Sequence, residues 1–159
     1  KIKLKEKTMG MDVSGINPVS ETGTYFRNNC WWWRPLWQYC HRVAPELIDE
    51  ETWTSGSYND GAGLQAEDAA KLGVKLLALI EDGSTKQWEN DYLKYLDSLP
   101  DENCSYCNNN NRGHKKKREC RSCDGKGVRD NWAKSYPFDV ENVREFAKFC
   151  IDSGGFEIW

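Results

Sequence analysis

The spacing of apolar residues along the chain predicts four helices. In four segments apolar side chains recur at every third or fourth position, which places them on one face of a helix. These segments span residues 31–43, 64–83, 84–100 and 137–155. The second segment is the clearest, because its predicted apolar face contains Ala69, Leu72, Leu76, Leu79 and Ile80.

Residues at the ends of these segments support the four helices. Asn29, before the first segment, and Asp139, near the start of the last, are the predicted caps, because a short polar side chain can accept hydrogen bonds from the first free N–H groups. Ser84 or Thr85 is the predicted cap of the third helix. Gly83 follows the second helix, and glycine readily adopts the left-handed conformation that ends a helix.

An alternation of polar and apolar residues at the two ends of the chain predicts two strands. Ile2 and Leu4 alternate with lysines, and residues 9–15 continue the strand to a glycine turn. Residues 156–159 alternate in the same way. We expect the two strands to pair as a small sheet, and we expect residues 17–29 and 54–63 to be loops.

Four of the seven cysteines form two Cys-x-x-Cys pairs separated by twelve residues. A two-residue spacing lets the chain curl so that both sulfurs face one tetrahedral ion, about 2.3 Å away for zinc. Nearby lysines and arginines also favour the thiolate form. The predicted ligands of one structural zinc ion are Cys104, Cys107, Cys120 and Cys123. Four thiolates leave no open coordination position, so the site is predicted to be structural and not catalytic.

Other roles for these cysteines fit the sequence less well. A thioredoxin-like redox pair needs a helix N-terminus after a strand, and neither pair has that setting. His114 could replace one ligand, but it lies in the charged part of the spacer and four cysteines already complete the shell. The three remaining cysteines, Cys30, Cys40 and Cys150, are interpreted as free thiols.

These elements together predict a mainly α, α+β architecture. It has about four helices, a small two-stranded sheet from the termini and a zinc-stapled loop inserted before the last helix. Residues 1–103 are the predicted helical body with the N-terminal strand, and residues 104–127 are the four-cysteine zinc hairpin module. Residues 128–159 form the C-terminal helix and strand, which pack back on the body.

Charge is unevenly distributed along the chain. The whole chain carries a net charge of −3, whereas residues 112–129 carry eight basic and two acidic residues, or +6. The rest of the chain is therefore at −9. The candidate partner-binding residues are the basic side chains of this segment, Lys115, Lys116, Lys117, Arg118 and Arg121.

Composition and motifs argue against an enzyme and against a membrane protein. The chain has two histidines and lacks a phosphate loop, a Gly-x-Ser-x-Gly elbow and a His-Glu-x-x-His motif. Cys40 and His41 are adjacent, so on a helix they point in different directions. No apolar run reaches 18 residues and no secretory signal is present, which predicts a cytoplasmic protein.

The second cysteine pair resembles a known zinc unit. The segment "CRSCDGKG" is similar to the Cys-x-x-Cys-x-Gly-x-Gly unit of DnaJ-type zinc domains, whereas "CSYCNNNN" has Asn109 and Asn111 in place of the glycines. The chain has two such units where DnaJ-type chaperones have four, and it lacks a His-Pro-Asp J-domain signature. This resemblance covers about 24 residues and implies a zinc hairpin without co-chaperone activity.

A second resemblance covers the whole chain. The segments "MGMDVSGINP", "GTYFRNNCWWWRPLW" and "YPFDVENVREFAKFCIDSGGFEIW", together with the cysteine unit, resemble a family of small phage- and prophage-encoded zinc proteins. This family is suspected to include a type II anti-CRISPR protein. The resemblance implies a bacterial-host location and a protein partner, and it assigns no catalytic residue.

Three functions are compatible with these observations. The first is stoichiometric inhibition of a host defence protein, with a large RNA-guided type II nuclease as the expected partner. The second is nucleic-acid binding through the basic 112–129 segment, which the acidic character of the whole chain disfavours. The third is binding of a small molecule such as a signalling nucleotide, with Arg27, Asn28 and Asn29 lining a pocket beside the tryptophans of 31–33. The alternative interpretation of those tryptophans is that they belong to the core.

Overall fold

The structure is a computed structural model that describes residues 10–107 and 120–159. Within those ranges the chain is mainly helical with small antiparallel sheets, which confirms the predicted α+β class. The predicted alternation at Ile2 and Leu4 lies outside the described residues. None of the helices in the described ranges combines the length and the apolar character needed to cross a membrane.

Five α-helices and six strands occur in the described ranges. The helices are α1 (Cys30–Val43), α2 (Glu50–Gly56), α3 (Ala66–Glu81), α4 (Ser84–Ser98) and α5 (Val140–Asp152). The strands are β1 (Gly10–Gly15), β2 (Tyr25–Asn29), β3 (Gly63–Gln65), β4 (Glu102–Asn103), β5 (Val128–Arg129) and β6 (Gly155–Ile158). Helices α1, α3, α4 and α5 correspond to the four predicted segments.

The main sheet contains the predicted pairing of the two ends and is larger than predicted. Strands β1 and β6 are antiparallel, with Val13 opposite Ile158. The full strand order is β2-β1-β6-β3, so the prediction of a two-stranded sheet was wrong. Strand β2 lies in a segment that was predicted to be a loop. Phe26 is its one buried residue and the rest of its sequence is polar, so the sequence shows no strand pattern there. Pairing with β1, and not the apolar pattern of β2, makes this segment a strand.

Helix α2 was absent from the predicted elements. It is short, and the side chain of Asp49 caps it by accepting a hydrogen bond of 2.8 Å from the Thr52 N–H. Its backbone also accepts hydrogen bonds from two buried indoles of α1. Trp37 Nε1 donates to the Trp53 carbonyl at 3.0 Å, and Trp33 Nε1 donates to the Gly56 carbonyl at 2.9 Å. Contacts with α1 therefore stabilise a helix that its own sequence does not predict.

Two of the predicted caps are confirmed and one differs. Asn29 accepts hydrogen bonds of 3.1 Å from the N–H groups of Trp31 and Trp32. Asp139 likewise accepts a hydrogen bond from the N–H group at the start of α5. At α4 the Asp82 carboxylate accepts hydrogen bonds from the Ser84 side chain and from the Ser84 N–H, the latter at 2.8 Å, and both lower the pKa of Asp82. Thr85 is fully buried, and its hydroxyl lies 2.9 Å from the Tyr39 hydroxyl, so it does not serve as the predicted cap.

Aromatic rings form much of the core. Trp33 and Trp37 stack with ring centroids 5.3 Å apart, and Trp33 meets Phe146 edge-on at 5.6 Å. The largest fully buried aromatic side chains are Trp33, Trp37, Phe146, Phe149 and Phe156. The tryptophans of 31–33 therefore include both core and exposed residues. Trp33 belongs to the core, whereas Trp31 is 44 % exposed.

The chain divides into two compact units. The first comprises Lys1–Asp91 and Tyr136–Trp159 and contains the four-stranded sheet. The second comprises Tyr92–Ser135 and contains the two-stranded β4-β5 sheet. The second unit includes the predicted 104–127 module and extends beyond it on both sides.

Replacing Trp37 with alanine is expected to destabilise the protein by about 3–5 kcal/mol. The change removes a fully buried ring and leaves the Trp53 carbonyl without its indole donor. Trp31→Ala is the matched control, because that side chain is 44 % exposed, and it should cost less than about 1 kcal/mol. Urea unfolding followed by circular dichroism measures both values. Equal stability of the two variants would contradict the assignment of Trp37 to the core.

Candidate metal centre

A short antiparallel ribbon in the second unit brings the two Cys-x-x-Cys pairs together. Cys104 directly follows β4, and Cys120 and Cys123 precede β5. Asn103 lies opposite Val128 in the ribbon, and the Cys104 N–H donates to the Gly127 carbonyl at 2.9 Å. The ribbon therefore holds both hairpins at the same end.

The four sulfurs lie around a common centre. All four Sγ atoms are within 4.8 Å of one another. The Cys104 and Cys120 sulfurs are 3.8 Å apart, and the Cys107 and Cys123 sulfurs are 3.7 Å apart. Four sulfurs at about 2.3 Å from a tetrahedral ion would be separated by about 3.8 Å, whereas a disulfide bond measures about 2.05 Å. The predicted ligands therefore form a cluster that could hold a metal ion.

The backbone after Cys123 is shaped around its sulfur. Asp124, Gly125 and Gly127 have φ angles of 49°, 76° and 78°, in the left-handed region. Glycine adopts this conformation without the steric cost that a Cβ atom brings. The turn aims the Gly127 N–H at the Cys123 Sγ, 3.2 Å away. The two glycines of the Cys-x-x-Cys-x-Gly-x-Gly unit thus allow a backbone donor to approach a sulfur.

Electrostatics within the cluster favour a cation at its centre. Burial opposes ionisation of Cys104, but backbone N–H groups of Tyr106 and Cys107 and the neighbouring thiols lower its pKa to about 6. Burial and hydrogen bonds with the other three cysteines raise the pKa of Cys107 to about 12. Without a cation the four sulfurs therefore cannot all be thiolates at neutral pH. A divalent ion between them would favour the thiolate form of each.

The other cysteines lie outside this cluster. Cys40 and Cys150 are fully buried, and burial raises the pKa of both thiols. Cys30 is half-buried at the start of α1. His41 does not act on Cys40: its Nδ1 lies 2.8 Å from the Ile48 carbonyl, and its ring stacks on Trp53 with centroids 5.2 Å apart.

One of the five candidate partner-binding residues lies in the described part of the chain. Lys115, Lys116, Lys117 and Arg118 lie outside the described residues, as do His114, Asn109 and Asn111. Arg121 is described and exposed. A cation–π contact that the sequence analysis did not include lies close to the cluster. The Arg129 guanidinium is 5.8 Å from the centroid of the Tyr106 ring, and Nη1 donates to the Ser122 hydroxyl at 3.4 Å.

The candidate pocket beside the tryptophans is only partly formed by the residues proposed for it. Arg27 pairs with Asp12 at 3.4 Å, and Asn29 caps α1. Asn28 and Asn142 exchange side-chain hydrogen bonds of 3.0 and 2.8 Å. Asn28 borders a cavity of about 300 Å³, whose other lining residues are Trp32, Asp139, Glu141, Asn142 and Glu145. Three carboxylates line this cavity, so it is a poor site for a phosphate group.

No protein-family model, no curated protein and no solved structure matches this chain.

Proposed function

We propose that Cys104, Cys107, Cys120 and Cys123 bind one zinc ion. The observation that carries this proposal is the pair of sulfur–sulfur distances, 3.8 and 3.7 Å, which match the edges of a tetrahedral zinc–thiolate site. Sulfur ligands in tetrahedral geometry suit zinc or iron. The hydrogen bond from Gly127 to the Cys123 sulfur is of the kind that stabilises a metal-bound thiolate.

The role of the ion is structural. Four protein thiolates fill the coordination shell, so no position remains for a water or a substrate. In the described part of the second unit Cys104, Cys120 and Cys123 form a buried cluster with Cys107 packed against it, and the two strands of the ribbon have two residues each. Such a small core supplies little burial energy, and a metal ion supplies the missing stabilisation.

We propose that the chain acts by binding another protein, and that this partner is an RNA-guided type II nuclease of the bacterial host. The likeness to phage-encoded proteins supports this choice, and so does charge. The first unit, residues 1–91 and 136–159, carries nineteen acidic and twelve basic residues, a net charge of −7. RNA-guided nucleases hold nucleic acid in positively charged channels, to which an acidic surface is attracted. Titration of an active nuclease with this protein, in the cytoplasmic conditions where both would meet, tests the proposal.

The basic 112–129 segment makes nucleic-acid binding the second candidate, and the two candidates predict opposite results. We expect no measurable affinity for bare DNA or RNA at physiological salt, because the chain as a whole is acidic. If the segment binds phosphate, fluorescence polarisation should instead show an affinity that falls steeply with salt. Reversal of Lys115, Lys116 and Lys117 to glutamate should then abolish it. Reversal of Lys71, Lys75 and Lys86 gives a control with the same change in charge.

A further inference from the structure

A second cavity, of about 330 Å³, lies in the first unit. Helix α1 contributes Arg34 and Gln38 to its lining, and α2 with the residues after it contributes Trp53, Ser57 and Tyr58. These residues belong to the first unit, whereas the metal centre and the charged segment belong to the second. Its volume is at the lower end of the range for small-molecule sites, about 300–1,000 Å³.

The α1 side of this cavity presents the Arg34 guanidinium, which lies 5.8 Å from the centroid of the Tyr136 ring. Arg34 and Gln38 are four positions apart and are therefore neighbours on the helix surface. One Arg34 nitrogen donates to the Tyr136 hydroxyl at 3.0 Å. In the described part of the chain no carboxylate lies within ion-pair distance of Arg34. Five other basic residues in the described part of the first unit take part in ion pairs: Arg27, Lys71, Lys75, Lys86 and Arg144.

An arginine that has no ion-pair partner, in a unit with a net charge of −7, can bind an anion. Four of its five N–H donors are not used in the Tyr136 hydrogen bond. The Gln38 side chain is exposed beside it and adds an amide donor. None of the five lining residues is acidic, in contrast with the three carboxylates of the cavity near Asn28.

The opposite side of the cavity is aromatic. His41 stacks on Trp53 with centroids 5.2 Å apart and an interplanar angle of 20°, which holds the indole in place. Tyr58 is 67 % exposed. Ser57 donates its hydroxyl hydrogen to the Trp53 carbonyl at 2.8 Å and retains oxygen lone pairs as acceptors. Aromatic side chains of this kind bind planar rings by stacking.

We propose that this cavity binds a free nucleoside monophosphate. The base packs against Trp53 and Tyr58, and the phosphate receives charge-assisted hydrogen bonds from Arg34. Gln38 and Ser57 offer a donor and an acceptor to the polar edge of the base. The acidic character of the unit weakens the attraction of phosphate, so we expect a moderate affinity. This site is separate from the proposed metal centre and does not depend on the proposed nuclease partner.

Isothermal titration of the full, metal-loaded chain with AMP tests the proposal. We expect a dissociation constant at or below about 1 mM. Adenosine lacks the phosphate and ribose 5-phosphate lacks the base, so each should bind at least about tenfold more weakly. Arg34→Gln and Tyr58→Ala should weaken AMP binding by about tenfold or more. Arg144→Gln removes an arginine that does not line the cavity, and it should bind AMP as tightly as the wild type.

Three results would overturn the proposal. The first is no heat of binding at AMP concentrations of about 5 mM, several times the expected dissociation constant. The second is equal AMP affinity in Arg34→Gln and the wild type, which would place any bound phosphate elsewhere. The third is equal affinity for AMP and ribose 5-phosphate, which would show that the aromatic side chains of the cavity do not bind the base. Both variants change exposed side chains, so circular dichroism should show the wild-type fold.

Discussion

Replacing Cys120 with serine is expected to abolish zinc binding and to disorder the two hairpins around the cluster. The wild-type protein, purified without added metal, should contain one zinc ion per chain. Cys120 lies 3.8 Å from Cys104, so its loss removes one ligand from the centre of the cluster. A structural zinc site contributes about 10–16 kcal/mol of apparent binding free energy in small domains. The effect should therefore exceed that of a core substitution.

Elemental analysis of the metal content per chain tests this prediction. It should cover zinc and iron, because both metals accept four thiolates. Cys30→Ser is the control: it also removes a thiol, but from a half-buried position at the start of α1. That variant should retain a full equivalent of zinc. Wild-type protein with a metal content near zero and all thiols free would contradict the zinc site. An unchanged melting temperature and unchanged partner binding in Cys120→Ser would show that the ion has no structural role.

The protein is expected to inhibit an RNA-guided type II nuclease stoichiometrically. DNA cleavage should fall with increasing protein and reach its minimum near one inhibitor per nuclease. The physical reason is that the chain offers a charged surface for binding, while its sequence lacks the catalytic motifs sought above. A cleavage assay at fixed nuclease concentration, with the protein added before the target DNA, measures the stoichiometry. Reversing the order of addition should protect the nuclease if inhibitor and DNA compete for overlapping or coupled sites.

Two outcomes would contradict stoichiometric inhibition. Full activity of several type II nucleases at tenfold excess of the protein would remove this class of partner. Inactivation of excess nuclease by a trace of protein would show turnover, and therefore an enzyme. The Arg144→Gln variant keeps the metal cluster and changes one exposed ion pair, so it is a suitable control for the effect of a single surface charge.

Features that depend on neighbours in the chain were predicted correctly from the sequence. Helix α1 begins after Asn29, whose side chain accepts two N–H groups within the next three residues. The apolar face of α3 contains Ala69, Leu72 and Leu76, all fully buried. Each of these features is determined within about one helical turn, because helical geometry fixes which residues are adjacent.

Features that depend on distant partners were not predictable. Strand β3 is three residues long and pairs with β6, which lies at the other end of the chain. Helix α2 is held by the indoles of Trp33 and Trp37 on α1. A short polar segment has no periodicity strong enough to distinguish a strand or a helix from a loop, so only its tertiary contacts decide.

The candidate sites also combine features that local spacing determines with features that depend on distant partners. By itself the sequence identified the four cysteines of the candidate metal cluster, because Cys-x-x-Cys spacing brings two sulfurs together within each hairpin. Only the tertiary structure decided that the β4-β5 ribbon brings the hairpins together, with sulfur distances that suit a tetrahedral ion. It also decided that Arg34 and Trp53 share a cavity, since they lie on different helices and no local pattern relates them. Local spacing determines ligand pairs within a hairpin, whereas long-range packing determines which surfaces meet.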